Sequence, residues 1–342
     1  MIKRRITRQV SLGSVKIGRN SPVSIQSMTK TDTRDIAATV RQVKSLESLG
    51  CEIIRVAVKD ISCAQAIKKI KSKIKIPLEA DIHFDYRLAL EAIASGSDSV
   101  RLNPGNIRKK EHVVEVIKAC RKKNIPVRIG LNSGSAGTNS AKGMVKAALD
   151  YLKIFEKEKF FDIMISLKAS DVYTTICAYR EMAKVCDYPF HLGVTAAGSA
   201  QAGLIKSSIG IGALLADGIG DTIRVSLTGE PENEVIAAKH ILQSLGLRKF
   251  FPEIIACPTC GRCQVDLSKI VNNFYDAMLD TKYSTLNTKI ALMGCEVNGP
   301  GEAKEADMGI AFGKNAGTLF KKGKIIKKVS YKDAVKELIK LI

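Results

Sequence analysis

Four cysteines gather towards the C-terminal end of the chain, and their spacing sets the first chemical possibility. Cys257 and Cys260 form CPTC on a Pro-containing turn, Cys263 follows three residues on, and Cys295 arrives in MGCEVNGPGEA, a second turn rich in Gly and Pro. Two cysteines separated by two residues on a tight turn aim both sulfurs to one side, where they bind a metal or one face of a cluster. A distant third completes a tripod. The pair alone also reads as a redox dithiol or half of a zinc site. Two glycine-rich loops converging on one place favour the metal, with Cys263 a competing fourth ligand by spacing. The other five cysteines, Cys51, Cys63, Cys120, Cys177 and Cys186, stand singly in apolar or helical stretches, where free cysteine is an ordinary buried side chain. Nine cysteines so scattered are not the disulfide framework of a secreted protein.

A second set of polar residues stands at the ends of short β-branched runs. It comprises Asp81 and His83 in ADIHFD, Arg101 and Asn103 in RLNPGN, Arg128 and Asn132 in VRIGLN, Lys168 in SLKASD, and Arg224 and Ser226 in IRVSL. A lone arginine on a strand is as readily a core salt bridge. Four strands each sending a cation or amide to one mouth point to an anion such as a phosphate or diphosphate, because desolvating each cation costs several kcal/mol, on the order of magnitude known for buried ions, unless an anion meets it.

The elements that must position these groups alternate from the first strand to about residue 246. Strands are expected at 23–28, 52–58, 77–82, 99–104, 126–132, 161–168, 190–195 and 222–227, with helices after them, for example over 37–50, 61–73, 110–123 and 171–186. Eight βα units in this length predict a closed (β/α)8 TIM barrel rather than a doubly wound sheet, with the active site at the C-terminal ends of the strands. After Gly246 the pattern changes. Residues 1–246 are expected as the substrate-binding barrel and 247–342 as a small α+β domain carrying the cysteines, its tail a hairpin around Lys322 and Gly323 followed by an amphipathic helix.

Composition bounds the alternatives. The 342 residues are 45% hydrophobic with no apolar run long enough to span a bilayer, and the basic start lacks the apolar segment of a signal peptide, so a soluble cytoplasmic protein is expected. A net charge of +20 raises nucleic acid as a partner, but Trp is absent, aromatics are 5%, and no basic stretch is interleaved with them. A solvated lysine surface, or one that steers an anionic substrate or an acidic electron donor, is the better reading. No nucleic-acid or membrane partner is expected.

CPTCGR followed 35 residues later by GCEVNGPGEA resembles the 4-hydroxy-3-methylbut-2-enyl diphosphate synthase family of the methylerythritol phosphate pathway. QSMTKTDTRD, ADIHFDYRLAL, RLNPGNI, VRIGLNSGS, SLKASDV, SSIGIG and GIGDTIRVSL resemble the family's strand-end motifs in its order, so the likeness covers nearly the whole chain. It implies one 4Fe-4S cluster per subunit, held by Cys257, Cys260, Cys295 and Glu302, the carboxylate being the harder and more exchangeable ligand. It also implies that Arg55, Arg101, Arg128, Asn132, Lys168, Arg224 and Ser226 hold a cyclic diphosphate, that Asn298 reaches it from the cluster domain, and that Glu302 is catalytic; Asp81 and His83, from their place after the third strand, are the further candidates for proton transfer. The implied reaction is reductive ring opening and dehydration of 2-C-methyl-D-erythritol 2,4-cyclodiphosphate to 4-hydroxy-3-methylbut-2-enyl diphosphate. Reduced ferredoxin or flavodoxin would supply the electrons, in a head-to-tail homodimer. Two positions depart from the pattern: Lys30 in MTKT, and Ala196 in HLGVTAAGSA where the family has a glutamate. Two rival readings are a basic RNA-associated zinc protein and another phospho-sugar barrel enzyme with a structural cluster.

Overall fold

The computed structural model describes residues 2–134, 137–138, 140–195, 198–278, 288–296 and 306–342. Two compact units divide between Arg248 and Lys249.

The first unit opens with an antiparallel hairpin, β1 (Val10–Leu12) and β2 (Val15–Ile17). Eight parallel strands follow: β3 (Ser24–Met28), β4 (Ile53–Val58), β5 (Leu78–Ile82), β6 (Ser99–Leu102), β7 (Val127–Asn132), β8 (Ile163–Lys168), β9 (His191–Leu192) and β10 (Thr222–Ile223). Pairing runs β8-β7-β6-β5-β4-β3-β10-β9, and a bridge between Ile165 and Phe190 joins the two ends. This is the expected TIM barrel. Helices α1 (Ile36–Ser48), α2 (Ile61–Lys71), α3 (Tyr86–Ala94), α4 (Lys110–Lys123), α5 (Ala141–Lys157), α6 (Val172–Val185), α7 (Ala200–Ala216) and α8 (Pro231–Ser244) follow the strands in turn. Several βα loops end on an aspartate whose carboxylate caps the next helix, as Asp35, Asp60 and Asp171 do for Ala38, Cys63 and Thr174. Such short capped loops hold the strand ends, and hence the mouth, in place.

Alternation along the strands decides what fills the barrel. In β7, Arg128, Gly130 and Asn132 alternate with Val127, Ile129 and Leu131, and in β8, Ser166 and Lys168 alternate with Ile165 and Leu167. The polar set meets inside the barrel, and the buried aliphatic set occupies the other face of each strand, where helices cover it. The N-terminal hairpin was not anticipated. Val10, Leu12 and Ile17 form a cluster with Ile53 of β4 and Met164 of β8, both at the starts of their strands, so the hairpin closes the end opposite the polar mouth. Its signal was two apolar-alternating runs around Gly13-Ser14.

Strands β9 and β10 are shorter than the expected 190–195 and 222–227. Beyond Arg224, whose N–H still reaches Leu192 O at 3.0 Å, the Leu227 N–H donates to the Glu234 carboxylate at 3.0 Å instead of to a neighbouring strand.

In the second unit, β11 (Glu253–Ala256), β12 (Lys289–Met293) and β13 (Met308–Phe312) are parallel, and β14 (Gly317–Lys321) and β15 (Lys324–Val329) continue the sheet antiparallel. The β14–β15 turn falls at Lys322-Gly323, both at positive φ, as the hairpin expectation had it. Helices α9 (Leu267–Met278) and α10 (Ala334–Ile339) pack Phe274, Met278 and Leu338 onto Ile290, Ile310 and Phe312.

Candidate functional site

The polar interior of the barrel is a network of buried ions. Arg128 is fully buried; its Nε donates to both Glu79 carboxylate oxygens at 3.1 and 2.9 Å, its Nη2 to the same carboxylate, and its Nη1 to Ser166 Oγ at 3.2 Å. Arg101 donates to Asp81 Oδ1 at 3.0 Å and to Gly130 O at 2.8 Å. Gly130 permits that crossing, since a Cβ there would lie 2.4 Å from Arg101 Nε. Arg55 Nε stands 3.7 Å from the other Asp81 oxygen, and Arg224 Nη2 stands 3.7 Å from Glu234 Oε2. Lys168 Nζ lies 3.1 Å from Nε2 of the fully buried His191.

Above this network Arg55, Asp81, Arg101, Arg128, Asn132, Ser166, Lys168, Thr195, Arg224 and Ser226 enclose a cavity of about 80 Å3. Larger grooves occur on the surface, but this one gathers five cations around a single lining carboxylate. Burial depresses the Lys168 ammonium well below the ordinary lysine value, and Arg55, Arg128, Arg224 and Arg101 depress it further. Burial and Lys168 likewise keep the His191 imidazole neutral. For Asp81, burial favours the neutral form, but the charges of Arg55, Arg101 and Arg128 outweigh it and hold the carboxyl below the usual range. A cavity that lowers the charge on its own lysine is short of anion, and a phosphate entering it would restore the balance.

All seven barrel residues expected to hold the diphosphate line this cavity. Arg128 does so with its guanidinium already committed to Glu79, the core-pair arrangement that single strand arginines allow. Asp81 is an ion-pair partner held as an anion, which speaks against it as a proton donor at neutral pH. His83 is not among the lining groups; its backbone carbonyl accepts from Asn106 Nδ2 at 2.9 Å beyond the end of β5. Ala196, Asn298 and Glu302 lie outside the described residues. Glu79, Ser166, His191 and Glu234 escaped the sequence reading, although Glu79 shares a strand face with Asp81, two residues away. Lys30 is a strut: its Nζ pairs with Glu234 Oε1 at 3.1 Å and donates to Leu227 O at 2.8 Å and to Gly229 O. It thus ties the β3 end to the loop that carries Ser226.

In the second unit, Cys257 and Cys263 meet at Gly294. The Gly294 N–H donates to Cys257 Sγ at 3.3 Å, and a Cβ on Gly294 would lie 2.5 Å from Cys263 Sγ, so only glycine lets both sulfurs approach. Cys295, the next residue, is buried, whereas Cys260 is exposed, with the Arg262 N–H and guanidinium drawing its thiol below the usual range. Cys263 donates its own S–H to Val265 O at 3.2 Å. Among the described residues no three such side chains are already spaced to hold a metal ion. The donors nevertheless suit an iron-sulfur cluster: thiols on two adjoining loops, an N–H aimed at one sulfur, and a cation beside another. By contrast, burial pushes the isolated Cys51 and Cys120 thiols up to about 12, which makes them inert. Among the described residues no helix is long and apolar enough to cross a membrane.

Residues 7–239 match the profile of the GcpE TIM-barrel domain and residues 253–342 that of the GcpE protein C-terminal domain. Relatives named 4-hydroxy-3-methylbut-2-en-1-yl diphosphate synthase (flavodoxin) include those of Clostridium perfringens, 53% identical across 100% of this chain and 99% of its own, and Thermodesulfovibrio yellowstonii, also 53% identical with the same coverage. Among solved structures, Xanthomonas albilineans dihydropteroate synthase superposes with a TM-score of 0.52 at 11% identity, covering 70% of this chain and 98% of its own. A truncated 3-deoxy-D-arabino-heptulosonate 7-phosphate synthase from Thermotoga maritima gives 0.52 at 13% identity, covering 70% of this chain and 94% of its own. These two share the barrel fold alone.

Proposed function

The chain belongs to the GcpE family of 4-hydroxy-3-methylbut-2-en-1-yl diphosphate synthases, and from that premise we propose how its own residues divide the work. The activity is the reductive dehydration and ring opening of 2-C-methyl-D-erythritol 2,4-cyclodiphosphate to 4-hydroxy-3-methylbut-2-enyl diphosphate in isoprenoid precursor synthesis. The observation that carries the barrel's part is the cavity in which Arg55, Arg101, Arg128, Lys168 and Arg224 converge. Arg101, Lys168, Arg224 and Arg55 receive the diphosphate oxygens, Asn132 and Ser226 orient them, and the Arg128–Glu79 pair fixes the floor. Asn298 is a further candidate ligand of the diphosphate.

Cys257, Cys260, Cys295 and Glu302 would hold one 4Fe-4S cluster, which supplies the two electrons of the reaction one at a time when bound. Cys263 stays with Val265 as a supporting side chain. The electrons come from a reduced protein carrier, flavodoxin by the relatives' names, and the working unit is a head-to-tail homodimer in the cytoplasm. The full-length relatives lend no support to an RNA-associated zinc protein.

Anaerobic purification with iron and sulfide analysis, followed by conversion of the cyclic diphosphate with dithionite-reduced viologen, tests the reading. Four irons and four sulfides per chain, by the stoichiometry of such a cluster, with product formed, are expected. A colourless zinc protein, or a loaded protein that leaves the cyclic diphosphate intact, would sink it.

A further inference from the structure

A groove in the second unit is not accounted for by the barrel chemistry. It runs between α9 and α10 and encloses about 740 Å3, floored by Val265, Ile270, Val335 and Ile339 and rimmed by Lys269, Lys332, Lys336 and Lys340, with Asp266 the one acidic side chain of the lining. All four lysines are exposed. Lys340 pairs with Glu337, which Lys327 also reaches. Across residues 306–342 nine lysines stand against three acidic residues, so the surrounding field is positive. An apolar floor inside a rim of four lysines and one aspartate suits a protein partner of net opposite charge: the floor supplies the contact and the rim the steering.

The groove also adjoins the cysteine loop. Val265 accepts the Cys263 thiol hydrogen bond, and Cys257, Cys263 and the four floor residues all pack against one core. A protein seated here is two residues along the chain from Cys263 and on the core against which Cys257 also packs.

We propose that this groove is the docking face for an acidic protein electron carrier. The inference rests on the reading of the chain as an enzyme reduced one electron at a time. Each encounter oxidises one carrier by one electron and reduces the enzyme by one, so two encounters serve one substrate. A second copy of this chain, with the same net charge of +20, offers this basic rim no net complement, whichever faces the homodimer uses. RNA is no better served. The floor is aliphatic, and Tyr331, the aromatic residue of the lining, has its hydroxyl on Gly313 O and its ring edge-on to Phe312.

The test is the full-length, cluster-loaded triple variant Lys269→Glu/Lys332→Glu/Lys336→Glu, driven by reduced flavodoxin in one arm and by dithionite-reduced viologen in the other. The flavodoxin concentration for half-maximal rate should rise at least tenfold and lose its salt dependence, while the viologen-driven rate stays within twofold of the parent. A direct titration of oxidised flavodoxin should weaken in parallel, independently of turnover. Unchanged flavodoxin dependence, or equal losses in both arms, would overturn the docking face. Failure of the parent itself with viologen would instead strike the proposed reaction. Should the variant not fold, lysine acetylation of the unmodified protein decides. Bound flavodoxin should protect Lys269, Lys332 and Lys336; equal labelling with and without it would reject the proposal, and protection by added RNA or by self-association would reassign the face.

Discussion

In the barrel unit the reactive groups are already held by the protein: Arg128 lies against Glu79, Arg101 against Asp81, and Lys168 against His191. In the C-terminal unit Cys257 and Cys263 both lie against Gly294, but Cys260 is exposed on its loop, and no metal-ready cluster exists among the described residues. The difference teaches where each site draws its order. Buried ion pairs organise the barrel mouth before any ligand arrives, because a strand cation in the interior must be neutralised for the fold to form. Thiols need no such neutralisation, and their loops can wait for a metal whose binding energy becomes folding energy.

The largest expected effect breaks the second half of that comparison. Cys295→Ser should abolish the iron, the sulfide and the visible absorbance, and with them turnover, while the barrel still binds the cyclic diphosphate in a calorimetric titration. Glu302→Ala should keep part of the cluster but lose most turnover. Loss of diphosphate binding in Cys295→Ser would show that the two sites are not independently ordered.

The next effect probes the first half. Glu79→Gln leaves Arg128 as an unpaired buried charge and should cost about 3–5 kcal/mol in denaturant unfolding. Arg101→Met, which removes a group able to receive the diphosphate, should weaken substrate binding by roughly 1.5–3 kcal/mol per charged hydrogen bond lost and spare the cluster. If Glu79→Gln unfolds like the parent, the Arg128 pair is not structural and its guanidinium is freed for substrate.

A smaller effect is expected at Lys30. Its side chain is about a third exposed, and the buried Glu234 keeps Arg224 and the Leu227 N–H when the lysine is gone, so Lys30→Met should change stability by less than about 1 kcal/mol. Freeing the loop at 227–229 should raise the KM for the cyclic diphosphate severalfold with kcat nearly constant, and Lys30→Arg should restore most of it. A fall in kcat without a change in KM would mean that Lys30 acts on the chemistry instead.

How much of this was legible beforehand follows from which signals are local. The barrel was readable because each βα unit writes its own period, and the strand-end cations were readable because a charged residue at the end of an apolar run is conspicuous. Their partners were not. Glu79 in PLEADI and Glu234 in PENEV look like ordinary surface carboxylates until the ring of strands and helix α8 bring them against Arg128 and Arg224. The hairpin over 10–17 was hidden for a related reason: its runs are three residues each, and only Ile53 and Met164 from distant strands make them a plug. Spacing marked CPTC as a turn bearing thiols, but the hydrogen-bonded turn closes one step later, from Cys260 O to Cys263 N, and nothing in the run foretold that Gly294 would lie against both Cys257 and Cys263.

The smallest effect is a proton. Lys168 is depressed by burial and by four arginines, so just above its lowered value the free site holds a neutral amine. A diphosphate placed among those arginines cancels their field and raises Lys168 back towards the ordinary value of about 10.4. Between the two values, binding must take up a proton, and affinity should weaken as pH rises, by up to about tenfold per pH unit for one proton. Below the lowered value the lysine is charged in both states and the dependence vanishes. Asp81 adds nothing, since its neighbours keep it ionised throughout, and His191 stays neutral. The measurement is calorimetric binding above roughly pH 7, clear of phosphate titration, in buffers of different ionisation enthalpy. The apparent enthalpy should track the buffer for the parent chain. For Lys168→Arg, whose charge does not titrate, it should not. A parent enthalpy independent of buffer would mean that Lys168 keeps its proton in the free site, and that the cation cavity is balanced by a group other than the incoming anion.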